Sequence, residues 1–154
     1  MANVSLAHDI AALFRRDLTR LLQELQAFEG NDAALWKTLP GVTNTAGHLI
    51  LHVEGNLREF VGRKMGNRPY SRQRDEEFTG SSVAFFDLVD RVESLRIMIP
   101  EVVSGLESAS LETSYEEALQ YLVHLHGHLN YHLGQIDYLR RILLRANAVD
   151  FVTL

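Results

Sequence analysis

The segment Ser114–Asn147 reads SYEEALQYLVHLHGHLNYHLGQIDYLRRILLRAN, and it decides the fold class. Leu119, Leu122, Leu125, Leu129, Leu133, Ile136, Leu139, Ile142 and Leu143 recur mostly at steps of three and four, the period of an α-helix. They spread round much of its circumference, which predicts a long helix buried on several sides. Its start carries a capping box, with the Ser114 hydroxyl at the cap and the Glu117 carboxylate three residues on. No segment of the chain shows strand alternation, a nucleotide-cradling glycine loop or an internal repeat. An all-α fold follows.

Four of the chain's seven histidines lie in this one helix. His124, His128 and His132 form an i, i+4, i+8 ladder, continued by Tyr121 and Gln135, while His126 points elsewhere and reads as a surface or rim residue. Residues four apart share a face about 6 Å apart along the axis. His128 and His132 can therefore hold one metal ion if a third ligand arrives from another helix. The upstream stretch NTAGHLILHVEGN offers His48 and His52 for that role, and His124 is a further neighbour. Three neutral imidazoles leave a coordination position open, the mark of a catalytic site. A metal there lowers the pKa of a bound water or thiol toward neutrality. All-nitrogen ligation suits Zn, Ni, Co, Fe or Cu and disfavours Mg and Ca; the metal expected is Zn or Ni, ahead of Fe, Co and Mn. Tyr131 and Gln135 are placed to orient a ligand or substrate. Gly127 and Gly134 are costly inside a helix, about 1 kcal/mol each relative to Ala, so they point to a closely packed neighbour or room for a ligand.

Upstream, Leu6, Ile10, Leu13, Phe14, Leu18, Leu21, Leu22, Leu25 and Phe28 define a first amphipathic helix, capped by Asn3 or Ser5 and ended at Gly30-Asn31. Asp17 lies toward its buried side, where it either steadies a histidine from the interior or sits at the stripe's edge and reaches solvent. A helical turn is expected at 33–37, then a Leu39-Pro40-Gly41 turn, with Trp36 covering one end of the core. A second helix runs from Asn44 or Thr45 to Met65, Asn44 serving as its cap. His52 sits in the middle of that helix's apolar stripe and His48 borders it. Residues 66–80, GNRPYSRQRDEEFTG, read as a long connection without secondary structure, the kind that is functional or a crossover. Its Arg68, Arg72 and Arg74 either recognise an anionic substrate group or pair locally with Asp75, Glu76 and Glu77. A third helix starts at Ser81 or Ser82 and carries Val83, Phe86, Val89, Val92, Leu95, Ile97, Met98, Val102 and Val103. Pro100 should kink or split it. A linker at 105–113 then leads to the histidine-bearing last helix.

At 154 residues the chain reads as one domain, 1–154, able to bury a single core. Its formal charge of −5 argues against nucleic-acid binding, which shows a basic excess. With no cysteine, thiolate metal sites and cysteine nucleophiles are excluded. The start, MANVSLAHDIAALFRR, lacks the basic end and apolar run of a signal peptide, and no apolar run approaches the ~18 residues of a membrane span. A cytoplasmic protein is expected.

Together, HLILHVEGNLREF on the second helix, RQRDEEF in the long loop and HLNYHLGQIDYLRR on the last helix resemble the DinB/YfiT-like superfamily of metalloenzymes. The resemblance covers nearly the whole chain. Its most specific piece is the HxxxH followed by Gly-Gln, here His128, His132, Gly134 and Gln135. It implies a four-helix bundle in up-down-down-up order, the long loop crossing between helices 2 and 3. It also implies a divalent metal on His52, His128 and His132, with His48 a departure that adds a possible ligand or base. Characterised relatives include thiol S-transferases using a low-molecular-weight thiol and a mycothiol-dependent isomerase, and many form homodimers. The function expected is a metal-dependent transferase acting on a small thiol and an electrophile, with a loop arginine orienting the cofactor's carboxylate. The rival is a non-catalytic stress-response or binding module whose metal is structural or incidental.

Overall fold

The computed structural model describes residues 5–79, 83–108, 111 and 113–151. Among them every regular element is helical. Four helices are long: α1 (Leu6–Gln26), α2 (Ala46–Leu57), α4 (Phe85–Ser104) and α5 (Tyr115–Leu144). Between α2 and α4 lies the single turn α3 (Glu76–Thr79). Helix α1 packs most extensively on α4 and also on α5, whereas α2 packs on α5, on α3 and, less, on α4. Buried side chains of all four long helices join in one apolar cluster, with Phe14, Leu18, Ile50, Leu95, Leu129 and Ile136 among them. Each such side chain contributes about 1.5–3 kcal/mol when fully buried. No helix among the described residues is long and apolar enough to cross a membrane.

The local punctuation accounts for most element ends. The Ser5 hydroxyl caps α1 by accepting from Ala7 N at 3.2 Å. Asn3, the other expected cap, lies outside the described residues. Past α1, Gly30 takes the left-handed φ of 79° that glycine tolerates. Leu39-Pro40-Gly41-Val42 closes a turn, with Val42 N donating to Leu39 O at 3.1 Å and Gly41 at φ 76°. The Ser114–Glu117 capping box forms in both directions, at 3.2 and 3.1 Å.

Several expectations need correction. Thr45, not Asn44, caps α2, its hydroxyl accepting from His48 N at 3.1 Å. Beyond Leu57 the helix widens into a π-helical stretch, Arg58–Arg63, with Lys64 N bonding to Glu59 O and Gly66 N to Val61 O. Such five-residue closures leave no mark in an apolar period and recur at functional sites. The 66–80 connection contains α3 and so is not wholly irregular. The start expected at Ser81 or Ser82 lies outside the described residues. Phe86 and Ile97 are exposed, and Phe85 and Leu88 take the inward positions of α4. Helix α4 runs unbroken through Pro100, whose ring is buried, so packing holds the turn despite the missing donor. The 105–113 linker includes a 3-10 turn at Leu106–Ser108 that seats Leu106 in the core. Helix α5 ends at Leu144, with Arg145 left-handed at φ 52°. Its buried side chains lie along one broad stripe rather than on several sides. Val123, Tyr131, Tyr138 and Ile142 are exposed on the helix, beside Gly127 and Gly134, whose Cβ positions face open space.

Candidate metal centre

Helix α5 presents His128 and His132 one turn apart, and α2 brings His52 against both. The His128 Nε2 lies 3.2 Å from His52 Nε2 and 3.1 Å from His132 Nε2. One ligand atom from each of the three rings falls within 4.8 Å of the others, close enough to hold a metal ion. Metal–nitrogen bonds of about 2.0–2.1 Å separate two ligand atoms by about 3.3 Å at a tetrahedral angle and about 2.9 Å at a right angle. Both spacings from His128 fall between these, and three imidazole donors gathered this closely suit a transition metal.

Two of the outer ring nitrogens are committed. His52 Nδ1 is 2.9 Å from Glu77 Oε2, and His132 Nδ1 is 2.7 Å from Gln135 Oε1. A carboxylate and an amide oxygen only accept, so each Nδ1 carries the proton and each Nε2 turns a lone pair inward. Burial pushes the His128 imidazole down to about 4, and the nearby His132 and His52 add to the effect. Burial also lowers His132, partly opposed by its bond to Gln135. Near neutral pH both rings therefore stay neutral, the form that ligates. Two or three lone pairs facing one another repel, and a cation between them removes that repulsion.

The remaining candidates separate in space. Gln135 is tied to His132, and Tyr131, 65% exposed, lies edge-on to the same ring with centroids 5.2 Å apart. His124 stacks on Tyr121 at 5.8 Å on the exposed side of α5. His48 turns to Trp36, ring centroids 5.8 Å apart, and is not among the three clustered rings. Asp17 is fully buried and does not reach solvent. It accepts from His126, Asn130, Arg16 and Arg20 rather than from a clustered histidine. His126 is thereby a half-buried partner of α1 and not a rim residue. Arg72 forms a bidentate pair with Glu77 at 2.6 and 2.9 Å, Arg74 lies over the Phe78 ring at 6.0 Å, and Arg68 reaches Glu101 at 2.8 Å.

Two residues of α3 went unrecognised in the sequence. Glu77 touches His52, and Phe78 packs on the same ring with centroids 5.0 Å apart. One signal was present: Gly55, three residues after His52 on α2, leaves space that a Cβ would deny to the Glu77 carboxylate. On the other flank, Gln135 borders a half-open cavity of about 420 Å³ walled by Leu39, Val42, Leu49, Tyr138 and Ile142.

Compared with known proteins, the chain matches no family model, no curated protein and no solved structure. The DinB/YfiT-like resemblance therefore rests on the residues quoted for it.

Proposed function

We propose that the chain is a DinB-like four-helix bundle in up-down-down-up order that holds one divalent transition metal, Zn or Ni foremost, on His52, His128 and His132. Its reaction, in this reading, is the transfer of a low-molecular-weight thiol to an electrophile. The observation that carries the metal is the convergence of three Nε2 atoms from two helices. A bound divalent ion supplies Lewis acidity that makes a thiol or water nucleophilic near neutral pH. The chain's own residues do the rest. Gln135 and Glu77 hold two imidazoles in the ligating tautomer. Tyr131 stands exposed beside His132, where a hydroxyl can orient an incoming group. The cavity beside Gln135 is of ordinary ligand size, and its walls carry no charged side chain, which suits an electrophile with an apolar portion. Arg72 is engaged by Glu77, so Arg74 is the better candidate to meet an anionic group on the thiol. The exposed apolar side chains of α5 favour pairing with a second copy, which sedimentation velocity tests.

Elemental analysis of untagged protein should find about one ion per chain, lost in His52→Ala. Full occupancy in that variant would sink the ligand assignment. Turnover of small thiols with an aryl halide, abolished by chelator and restored by metal, is the expected activity. Metal binding without turnover against a broad thiol panel would favour the non-catalytic module.

A further inference from the structure

We infer that Glu77, clamped by Arg72, is the positioning residue of His52, so that Arg72 and α3 are part of the metal centre; the inference rests on the three-histidine reading above. Glu77 is 6% exposed. A carboxylate withdrawn from water persists only when its oxygens are paired, and here both are. Arg72 Nε donates to Oε1 at 2.6 Å and Arg72 Nη2 to Oε2 at 2.9 Å, while His52 Nδ1 donates to Oε2 at 2.9 Å.

A loop staple alone would need only Arg72 and Glu77, and it could lie anywhere on the surface. Two further features aim this pair at His52. Gly55, on the same helix as His52, leaves the volume the carboxylate enters, and any Cβ there would collide with Glu77 Oε1. Phe78, the next residue of α3, packs on the His52 ring and limits its rotation. Gly55, Arg72, Glu77 and Phe78 thus converge on one imidazole from two separate segments.

The consequence is chemical as well as steric. Holding the proton on Nδ1 leaves Nε2 free to ligate, and a charged acceptor at Nδ1 strengthens the ring as a donor to metal. His132 has only the neutral Gln135 in the equivalent place. The two outer ligands are therefore unequal, His52 being the more tightly held and the stronger donor.

Glu77→Gln keeps the shape and removes the charge. Its Co(II) affinity, from competition with a chromophoric chelator, and its Co(II) d–d spectrum are compared with the parent, circular dichroism confirming the fold. The expected result is about 10–100-fold weaker binding with displaced d–d bands, which a purely structural staple would not move. Unchanged affinity and bands in folded Glu77→Gln overturn the inference. If that variant fails to fold, Arg72→Gln, which unclamps the carboxylate, takes its place: weaker binding with displaced bands supports the inference and parent-like values overturn it. His52→Ala separates the two readings. If it keeps parental affinity, the three-histidine site itself fails; if it loses affinity while the Glu77 variant does not, only the positioning role fails.

Discussion

Asp17 Oδ2 accepts a 2.7 Å hydrogen bond from His126 Nε2, joining α1 to α5 while His128 and His132 of the same helix turn toward His52 of α2. Asn130, Arg16 and Arg20 donate to the same buried carboxylate at 2.8, 2.7 and 2.9 Å. Asp17→Ala strands these donors, though the two arginines can reach solvent. The expected cost is about 2–3 kcal/mol in a urea melt.

Acid should erode the same contribution. Burial pushes the Asp17 carboxyl up, but His126, Arg16 and Asn130 together outweigh it and hold the group well below the usual carboxylate range. A depressed folded pKa stabilises fully above the unfolded value of about 3.9 and less as the pH falls past it. The stability gap between the parent and Asp17→Asn should therefore narrow below about pH 4. A gap that stays constant into stronger acid would mean that the charge of Asp17 contributes little.

His128 predicts an earlier acid response in the metal-free protein. Burial, with the neighbouring His132 and His52, holds it at about 4. Below the ordinary histidine value of about 6.5 the unfolded chain takes up a proton that the folded cluster refuses. Stability should fall between about pH 6.5 and pH 4, then cease to fall on this account. His128→Asn should flatten that slope in urea melts made with chelator. Added zinc should stabilise the parent by about 2.7 kcal/mol at a hundredfold excess over Kd, and acid should abolish the gain as protons displace the metal.

The starts of α1 and α5 were legible because their signals are local: Ser5 and Ser114 each cap within three residues of their own position, whereas at α2 the adjacent Asn44 and Thr45 offer the same chemistry and Thr45 takes the cap. The HxxxH pair was legible for the same reason, since one helical turn sets its spacing. Glu77 was not. Asp75, Glu76 and Glu77 are alike in kind, and the one that turns inward is selected by the room beside Gly55 on another element. The Asp17–His126 bond depends on how α1 and α5 slide past each other, which neither helix's period records.

Trp36 lies against Gly47, and a Cβ built on Gly47 would stand 2.6 Å from Trp36 Cζ3. A rigid indole cannot yield as a flexible chain end would. Gly47→Ala should cost about 1–3 kcal/mol through overpacking. It should also shift the emission of the chain's single tryptophan. Parental stability with parental emission would show that the Trp36 packing is looser than this contact implies.

Gly127 and Gly134 predict the opposite sign. Both are inside α5, neither has a left-handed φ, and beyond the adjoining backbone of the helix itself no atom of the described residues lies within 4 Å of a Cβ at either position. Alanine there should therefore stabilise the isolated chain, by up to about 1 kcal/mol at each site from helix propensity. The two sites are two helical turns apart and share no partner, so their effects should add. Denaturation at low protein concentration reads this intrinsic gain. Repeating it at high concentration tests the exposed face of Tyr131, Tyr138 and Ile142. If a second copy seats against the glycine notches, the added methyls obstruct it, and the gain should shrink or reverse as the parent, but not the double variant, acquires a concentration-dependent midpoint. A gain equal at both concentrations would leave the notches facing water and remove the support they lend to pairing through α5.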